Sequence, residues 1–324
     1  MIREHDMIAL TEDLTEHGLK AGRTGTVVHI HPQGVAYEVE FFSPAGNTIA
    51  VATVEKAQAR PAAPEEIEPL TVDYNWVQDG IAVLTLTNPK KRNVLSSRTL
   101  AALEEWLGWI AKDPEARVVV IRSEGPVFSS GHDLNELVNG EAEDYTAVFD
   151  ACTRVMESIR LLPKPVIAQV QGLATAAGCQ LVATCDIAVA ADTAAFATPG
   201  VQIGLFCTTP GVAVARSVMP KKAMEMLLTG RPISAQEALE FGLISRIAPA
   251  EELEEQVMEL ARQIAAASAQ TLALGKAAFY QQIEMDRPSA YQFAGKVMVD
   301  NLLEDDAHEG ITAFLEKRPP VWTT

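Results

Sequence analysis

Apolar and polar positions follow two rhythms along this chain, and the change falls near residue 60. In residues 1–60 short runs alternate apolar with polar positions, as in Thr26-Val-Val-His-Ile-His31 and Ala36-Tyr-Glu-Val-Glu-Phe-Phe42, separated by Gly22, Gly25, Gly34 and Gly46. A period of two with glycine turns predicts half-buried strands in a small β-barrel. Residues 118–121 and 166–170 are instead apolar runs, the second interrupted only by Gln169, the pattern of strands buried on both faces. Residues 99–110 and 145–161 read as helices, the first with an apolar stripe and the second ending before Pro163. Strands alternating with helices predict an α/β fold. A hairpin opens this part, because Gln78-Asp-Gly80 lies between the apolar runs 74–77 and 81–86. From Pro210 onward the pattern is almost wholly helical, with a helix start at Ser234-Ala-Gln-Glu237 and a long amphipathic helix over 251–267. Residues 61–70, with Pro61, Pro64 and Pro69 among acids, read as a stiff linker. The expected domains are therefore a barrel over 1–60 and a larger domain over 71–324, split into a strand–helix core, 71–210, and a helical region, 211–324.

The 324 residues suffice for one large core plus a small extra domain. A net charge of −17 and a pI near 4.8 argue against nucleic acid or an anionic membrane surface as partner. Any polyanionic ligand then needs a local basic patch. No apolar run approaches a membrane span, and Met1-Ile-Arg-Glu-His-Asp-Met7 has neither a signal core nor an Arg-rich, acid-poor transit composition, which predicts a cytoplasmic chain. Cys152, Cys179, Cys185 and Cys207 lack metal-finger spacing and disulfide density, and are expected as reduced thiols. His29 and His31 fall on one strand face, but without a third ligand they read as surface histidines, and no metal is assigned.

Two glycine turns carry the candidate chemistry. Phe128-Ser-Ser-Gly-His-Asp-Leu134 and Gln171-Gly-Leu-Ala-Thr-Ala-Ala-Gly-Cys-Gln180 each follow a buried-strand run and lead into a predicted helix, and Ala197-Thr-Pro-Gly200 comes next. Helix starts present free backbone N–H groups that attract negative charge. Two of them converging on one oxygen would hold an enolate or a tetrahedral oxyanion, whatever the side chains. Asp133-Leu-Asn-Glu136 fits a helix cap with Glu at the third helical position, a structural role. Lys90, Lys91 and Arg92 form a basic cluster in an acidic chain, suited to phosphates or else a solvated turn. Cys207 would be a nucleophile only beside a base such as His132; free cysteines are commonly inert apolar fillers.

Residues 72–322 resemble the enoyl-CoA hydratase/isomerase family, the crotonase superfamily. Asn88-Pro-Lys-Lys-Arg-Asn-Val-Leu95 is similar to its first motif, and the two turns are similar to its oxyanion turns. Thr229-Gly-Arg-Pro-Ile-Ser-Ala-Gln-Glu-Ala238 with Gly242-Leu-Ile-Ser245 is similar to the segment that follows, and Ala313-Phe-Leu-Glu-Lys-Arg-Pro-Pro320 to its C-terminal signature. The resemblance implies a spiral of ββα repeats with C-terminal helices that pack on neighbours in a homotrimer or a dimer of trimers. It implies an acyl-CoA thioester as substrate, with coenzyme A as part of the substrate and no separate cofactor. By the same resemblance the oxyanion donors fall on the backbone N–H groups of His132 and Ala177. Contacts to the CoA thioester fall on Lys90, Lys91, Arg92, Ser130, Asp133 and Leu134, and closure of the pocket on Phe314 and Lys317.

The family's two catalytic glutamates fall on Gln180 and Gly200, and an acidic position of some isomerases falls near Thr208. Gln cannot exchange a proton near neutral pH and Gly has no side chain. The expectation is an acyl-CoA enzyme of the hydratase/isomerase type whose ordinary hydration is absent or very weak, with Gln180, Thr175, Thr208 and Thr209 left to position a carboxylate or a water. Two alternatives stay open. A malonyl-type acyl-CoA decarboxylase chiefly needs enolate stabilisation, and Gly131-His-Asp133 resembles the turn of the superfamily's methylmalonyl-CoA decarboxylase, although that enzyme's tyrosine falls on Cys207 here. The other alternative is a non-catalytic acyl-CoA binding protein. Gly22-Arg-Thr-Gly-Thr-Val27 resembles small SH3-like barrels, including a family of unknown function, and no partner is assigned to the barrel.

Overall fold

The alternating residues at the start of the chain form five antiparallel strands, β1 (Met7–Leu10), β2 (Thr24–Ile30), β3 (Ala36–Phe42), β4 (Thr48–Glu55) and β5 (Ala59–Pro61). The computed structural model describes residues 2–323 except Pro64, Glu65, Glu68 and Gln78, and the chain divides into two units at Thr71/Val72. In the first unit the strand order is β4-β3-β2-β1-β5, the small barrel expected. Tyr37, Val39 and Phe41 point from β3 into a core with Ile8, Leu10, Val27 and Val54, while Glu38 and Glu40 between them stay partly exposed. The barrel thus buries one face of each strand. β2 stops at Ile30, so His31 lies just past the strand; its ring stands 5.7 Å from that of His29, and its Nε2 meets Glu38 Oε1 at 2.6 Å.

In the second unit β6 (Val72–Val77) and β7 (Ile81–Leu86) pair antiparallel. Asp79 and Gly80 between them both have positive φ, a conformation that Asp-Gly adopts readily; Gln78 of the predicted turn lies outside the described residues. After α1 (Ser97–Lys112), three repeats follow the same course: a strand in a long sheet, a short strand in a second sheet, then a helix. They are β8 (Val118–Ser123), β9 (Val127–Ser129) and α2 (Ala142–Leu161); β10 (Val166–Val170), β11 (Leu173–Thr175) and α3 (Ala177–Thr184); and β12 (Ile187–Ala191), β13 (Ala195–Ala197) and α4 (Thr208–Ser217). The ββα spiral is the fold expected. α5 (Pro220–Thr229), α6 (Ala235–Phe241) and α7 (Leu253–Ala265) come next, followed by α8 (Ala269–Gln282), α9 (Arg287–Leu302) and α10 (Asp305–Glu316).

Two short strands, β14 (Ile233–Ser234) and β15 (Arg246–Ala248), interrupt the region read as almost wholly helical. They complete the sheets, whose orders are β15-β12-β10-β8-β7-β6 and β14-β13-β11-β9. Runs of two or three residues are too short for periodicity to reveal.

The parallel register of the short sheet positions the site. Ala174 pairs with Ser129, and Thr175 pairs with Ala197, so β9, β11 and β13 end side by side. Their C-terminal ends lead into the three glycine-containing motifs, which are therefore neighbours in space although some seventy residues separate the first from the last. Ligands of open parallel sheets bind at such strand ends.

Candidate active site

The first turn is clamped to the motif at residues 88–95. Ser129 Oγ donates to the Asn93 carbonyl at 2.8 Å, Ser130 N–H to the Arg92 carbonyl at 3.0 Å, and Leu95 N–H to the Gly131 carbonyl at 2.8 Å. Gly131 has φ +86°, where a side chain is strained. A Cβ built there would lie 2.8 Å from Ala176 Cβ and 3.0 Å from Ala177 N, and one built on Gly178 would lie 2.5 Å from the Ser129 carbonyl oxygen. The two turns approach to backbone contact only because both positions are glycine.

The second turn is held in a strained form. Ala176 precedes α3 with φ 50°, ψ −120°, a region non-glycine residues rarely occupy, and its N–H is fixed on the Ala197 carbonyl at 2.9 Å. Ala177 is then the first residue of α3, with its N–H at the helix start. Among the described residues no acceptor meets the N–H of either His132 or Ala177.

A cavity of about 560 Å³ opens beside these turns. Ser130, His132, Leu134, Cys207, Thr208 and Thr209 of the sequence candidates line it, whereas Lys90, Lys91, Arg92, Asp133, Thr175, Ala177, Gln180, Phe314 and Lys317 do not, and the second turn reaches it through Ala176. Among the described residues no Asp, Glu, Lys or Arg lines it. The His132 ring packs edge-on to Phe149 at 5.3 Å, and its Nε2 is buried without a partner. Burial pushes the imidazole down to about 4, so it is neutral at pH 7.

Gln180, placed by motif where the first catalytic glutamate would be, is only 5% exposed and accepts a weak S–H contact from Cys152 of α2 at 3.9 Å. It joins two helices rather than facing the cavity. Cys207 is not activated as a nucleophile. Burial pushes its thiol up, and the Gly200 N–H, which donates to Sγ at 3.3 Å, offsets this only in part. A thiol raised above its ordinary range and an imidazole near 4 give no driving force for proton transfer between them, and no hydrogen bond joins Cys207 and His132. Thr208 Oγ donates to the Phe206 carbonyl at 3.1 Å.

Asp133 caps the short turn that follows it by accepting from Asn135 N–H at 3.0 Å. Burial opposes its ionisation, but the Asn135 hydrogen bonds and the Lys91 ammonium, 3.6 Å away, hold it below the usual carboxylate range. The predicted reciprocal cap by Glu136 does not form. That carboxylate instead accepts from Ser97 N–H at 2.9 Å and Ser97 Oγ at 2.8 Å, capping α1. Lys90, Lys91 and Arg92 are exposed on the turn stapled to Ser130. Phe314, 82% exposed, and Lys317 sit at the end of α10.

The sequence reading missed the apolar wall: Leu137, Phe149, Ile203, Leu205 and Phe206. The run Ile203-Gly-Leu-Phe206, apolar in a loop after Pro199-Gly200, was the available signal.

Comparison with known proteins fixes the family. The family model described as Enoyl-CoA hydratase/isomerase matches residues 77–324, more than three-quarters of the 324 residues. The chain belongs to the enoyl-CoA hydratase/isomerase family. Within it, the chain is 53% identical over 266 residues to the mitochondrial enoyl-CoA hydratase domain-containing protein 3 of Rattus norvegicus, covering 82% of this chain and 88% of that protein. It is 56% identical over 246 residues to the Homo sapiens counterpart, covering 76% and 81%. The crystal structure of human enoyl Coenzyme A hydratase domain-containing protein 3 superposes with a TM-score of 0.76 at 54% identity, over 78% of this chain and all of that one. A domain of unknown function (DUF4926) matches residues 4–61, the barrel.

One expectation is overturned. These relatives are named mitochondrial, against the cytoplasmic reading drawn from composition. That reading rests on the composition of Met1–Met7 and on the lack of a membrane-length apolar run, whereas compartment is set by address segments that receptors read, which such composition does not settle. No helix among the described residues is long and apolar enough to cross a membrane.

Proposed function

We propose that the chain binds an acyl-CoA thioester with its carbonyl oxygen toward the His132 and Ala177 N–H groups, stabilising an enolate without ordinary enoyl-CoA hydration. One observation carries the reading: the two turns meet at Gly131 and Ala177 beside a cavity that no carboxylate lines among the described residues. In this reading the His132 and Ala177 N–H groups are the backbone half of the family's chemistry, each donor worth roughly 2.7–4 kcal/mol in a comparable site. The proton-transfer half has no group in the cavity suited to it near pH 7, since His132 lies near 4. Two remote acids, Glu136 and Glu225, do not line the cavity and bond to Ser97 and Lys222. Enoyl-, malonyl-type and saturated acyl-CoA substrates followed by mass spectrometry test this. Crotonyl-CoA turnover on the order of 1 to 10³ per second would refute it.

A second reading, an acyl-CoA binding protein without turnover, is favoured by Gln180, whose contact lies away from the cavity. Measurable acyl-CoA binding with no product from any substrate in the same experiment would select it.

The homotrimer or dimer of trimers that the family resemblance implies is part of the proposal, and exposed apolar surface on the C-terminal helices supports an interface there. No residue of α8 or α9 is fully buried, and Tyr291, Met298, Leu303, Phe314 and Leu315 are exposed. That much apolar surface calls for a partner. In the proposed assembly Phe314 and Lys317 close a neighbour's pocket, and Lys90, Lys91 and Arg92 hold CoA phosphates. Analytical ultracentrifugation showing a monomer at micromolar concentration would overturn this assembly.

A further inference from the structure

We propose that residues 200–207 are the acyl-selectivity element of the site. They turn the place of the missing second acid into an apolar wall that selects CoA thioesters of uncharged, apolar acyl groups over those of dicarboxylic acids; this rests on the acyl-CoA reading above.

The segment folds back on Gly200. Leu205 N–H donates to the Gly200 carbonyl at 2.9 Å, Gly200 N–H donates to Cys207 Sγ at 3.3 Å, and Gly204 reverses the chain at φ +77° with open space where a Cβ would be. A Cβ on Gly200 would lie 2.0 Å from the Leu205 carbonyl oxygen and 2.8 Å from Cys207 Sγ. The space into which a glutamate at 200 would grow is therefore filled by the loop itself. In folding back, the loop brings Ile203, Leu205 and Phe206 to the cavity that also holds Leu134 and Phe149.

Ile203 is 63% exposed, Leu205 47% and Phe206 42%. Apolar side chains left in water around a cavity gain by covering it with an apolar ligand. A carboxylate finds no counter-charge there: no Lys or Arg lines the cavity among the described residues, and His132 is neutral at pH 7. Desolvating an unpaired carboxylate is disfavoured. This weighs against malonyl-type substrates.

The test is calorimetric titration of the full chain with CoA, butanoyl-, hexanoyl-, octanoyl- and succinyl-CoA. Kd should fall about fourfold per added methylene until the cavity is full. Succinyl-CoA should bind at least about tenfold more weakly than butanoyl-CoA. Phe206→Ala should flatten the chain-length dependence while leaving the affinity for CoA within about twofold, the effect of losing only apolar contact. Equal or tighter succinyl-CoA binding, or CoA binding with no dependence on chain length, would overturn the selectivity proposal alone. No binding of CoA or of any thioester would overturn the acyl-CoA reading and the selectivity with it.

Discussion

Cys207 Sγ accepts the Gly200 N–H at 3.3 Å and stands 2.8 Å from where a side chain at Gly200 would begin. At Gly200, where the family resemblance puts the second acid, the chain's own loop fills the space a side chain would take, and a Cβ there meets the Leu205 carbonyl oxygen at 2.0 Å. Gly200→Glu, alone or with Gln180→Glu, should create no crotonyl-CoA hydration and should destabilise the fold by about 1–3 kcal/mol through overpacking. Urea denaturation with a hydration assay checks both. A stable double variant with hydratase turnover would show that the loop yields easily and that the missing acids alone silence the site.

Gly131→Ala should disable the site. Its Cβ would stand 3.0 Å from Ala177 N, against the N–H that the thioester oxygen needs, at a φ of +86°. The left-handed conformation alone costs roughly 1–2 kcal/mol with a Cβ. Gly22→Ala separates the two effects, because Gly22 has φ +83° and nothing within 4 Å of its Cβ position. Gly22→Ala should lose only the conformational part by thermal denaturation, whereas Gly131→Ala should lose more, because its Cβ also meets Ala176 Cβ at 2.8 Å, and it alone should lose acyl-CoA affinity. Undiminished affinity in Gly131→Ala would remove Ala177 N–H from the proposed site.

The difference between these two glycines also marks what sequence could reveal. Buried strands read directly from apolar runs such as 118–121 and 166–170, and the resemblance of the turns implies the spiral. Backbone features were legible because glycine is demanded where no Cβ fits, as at Gly131 and Gly178. Side-chain direction was not. Gln180 is one turn into α3, and nothing in its neighbours in sequence tells that its amide faces Cys152, a residue 28 positions earlier. Ile203, Leu205 and Phe206 become a wall only after the loop closes on Gly200, a contact set by backbone geometry. The proposed closing role of Phe314 has the same origin, since in the proposed assembly the surface that covers it belongs to a neighbouring subunit.

His132 should make the fold acid-sensitive. Burial pushes its folded-state value down to about 4 from 6.5, so between those values the unfolded chain binds a proton that the folded chain refuses. Stability from this group is complete above pH 6.5 and falls as pH drops toward 4, by up to about 3 kcal/mol. His132→Gln should remove that portion of the pH dependence while keeping the backbone N–H. Denaturation midpoints from pH 4 to 8 decide it, and an unchanged slope in His132→Gln would assign the acid sensitivity elsewhere.

Lys276 and Asp186 should anchor the helices proposed for assembly. Lys276 Nζ lies 2.7 Å from Asp186 Oδ2 and donates to the carbonyls of Ile159 and Lys164 at 2.8 and 2.9 Å, while Asp186 also accepts from Tyr280 O–H and Val166 N–H. The two side chains are only 7% and 15% exposed, and burial pushes the Lys276 ammonium below its usual range despite the nearby carboxylate. Because α8 has no fully buried residue, this polar anchor takes the place of an apolar face in fastening α8 to the core. Removing one partner leaves the other charge buried, so Lys276→Met should cost about 3–5 kcal/mol, and adding Asp186→Asn should recover part of it. Loosening α8 should also weaken subunit association, because the exposed apolar residues of α9 and α10 would lose their fixed position. Denaturation and sedimentation of the two single variants and the double variant separate these effects. Additive losses, or full assembly in a destabilised Lys276→Met, would show that the pair does not couple α8 to the interface.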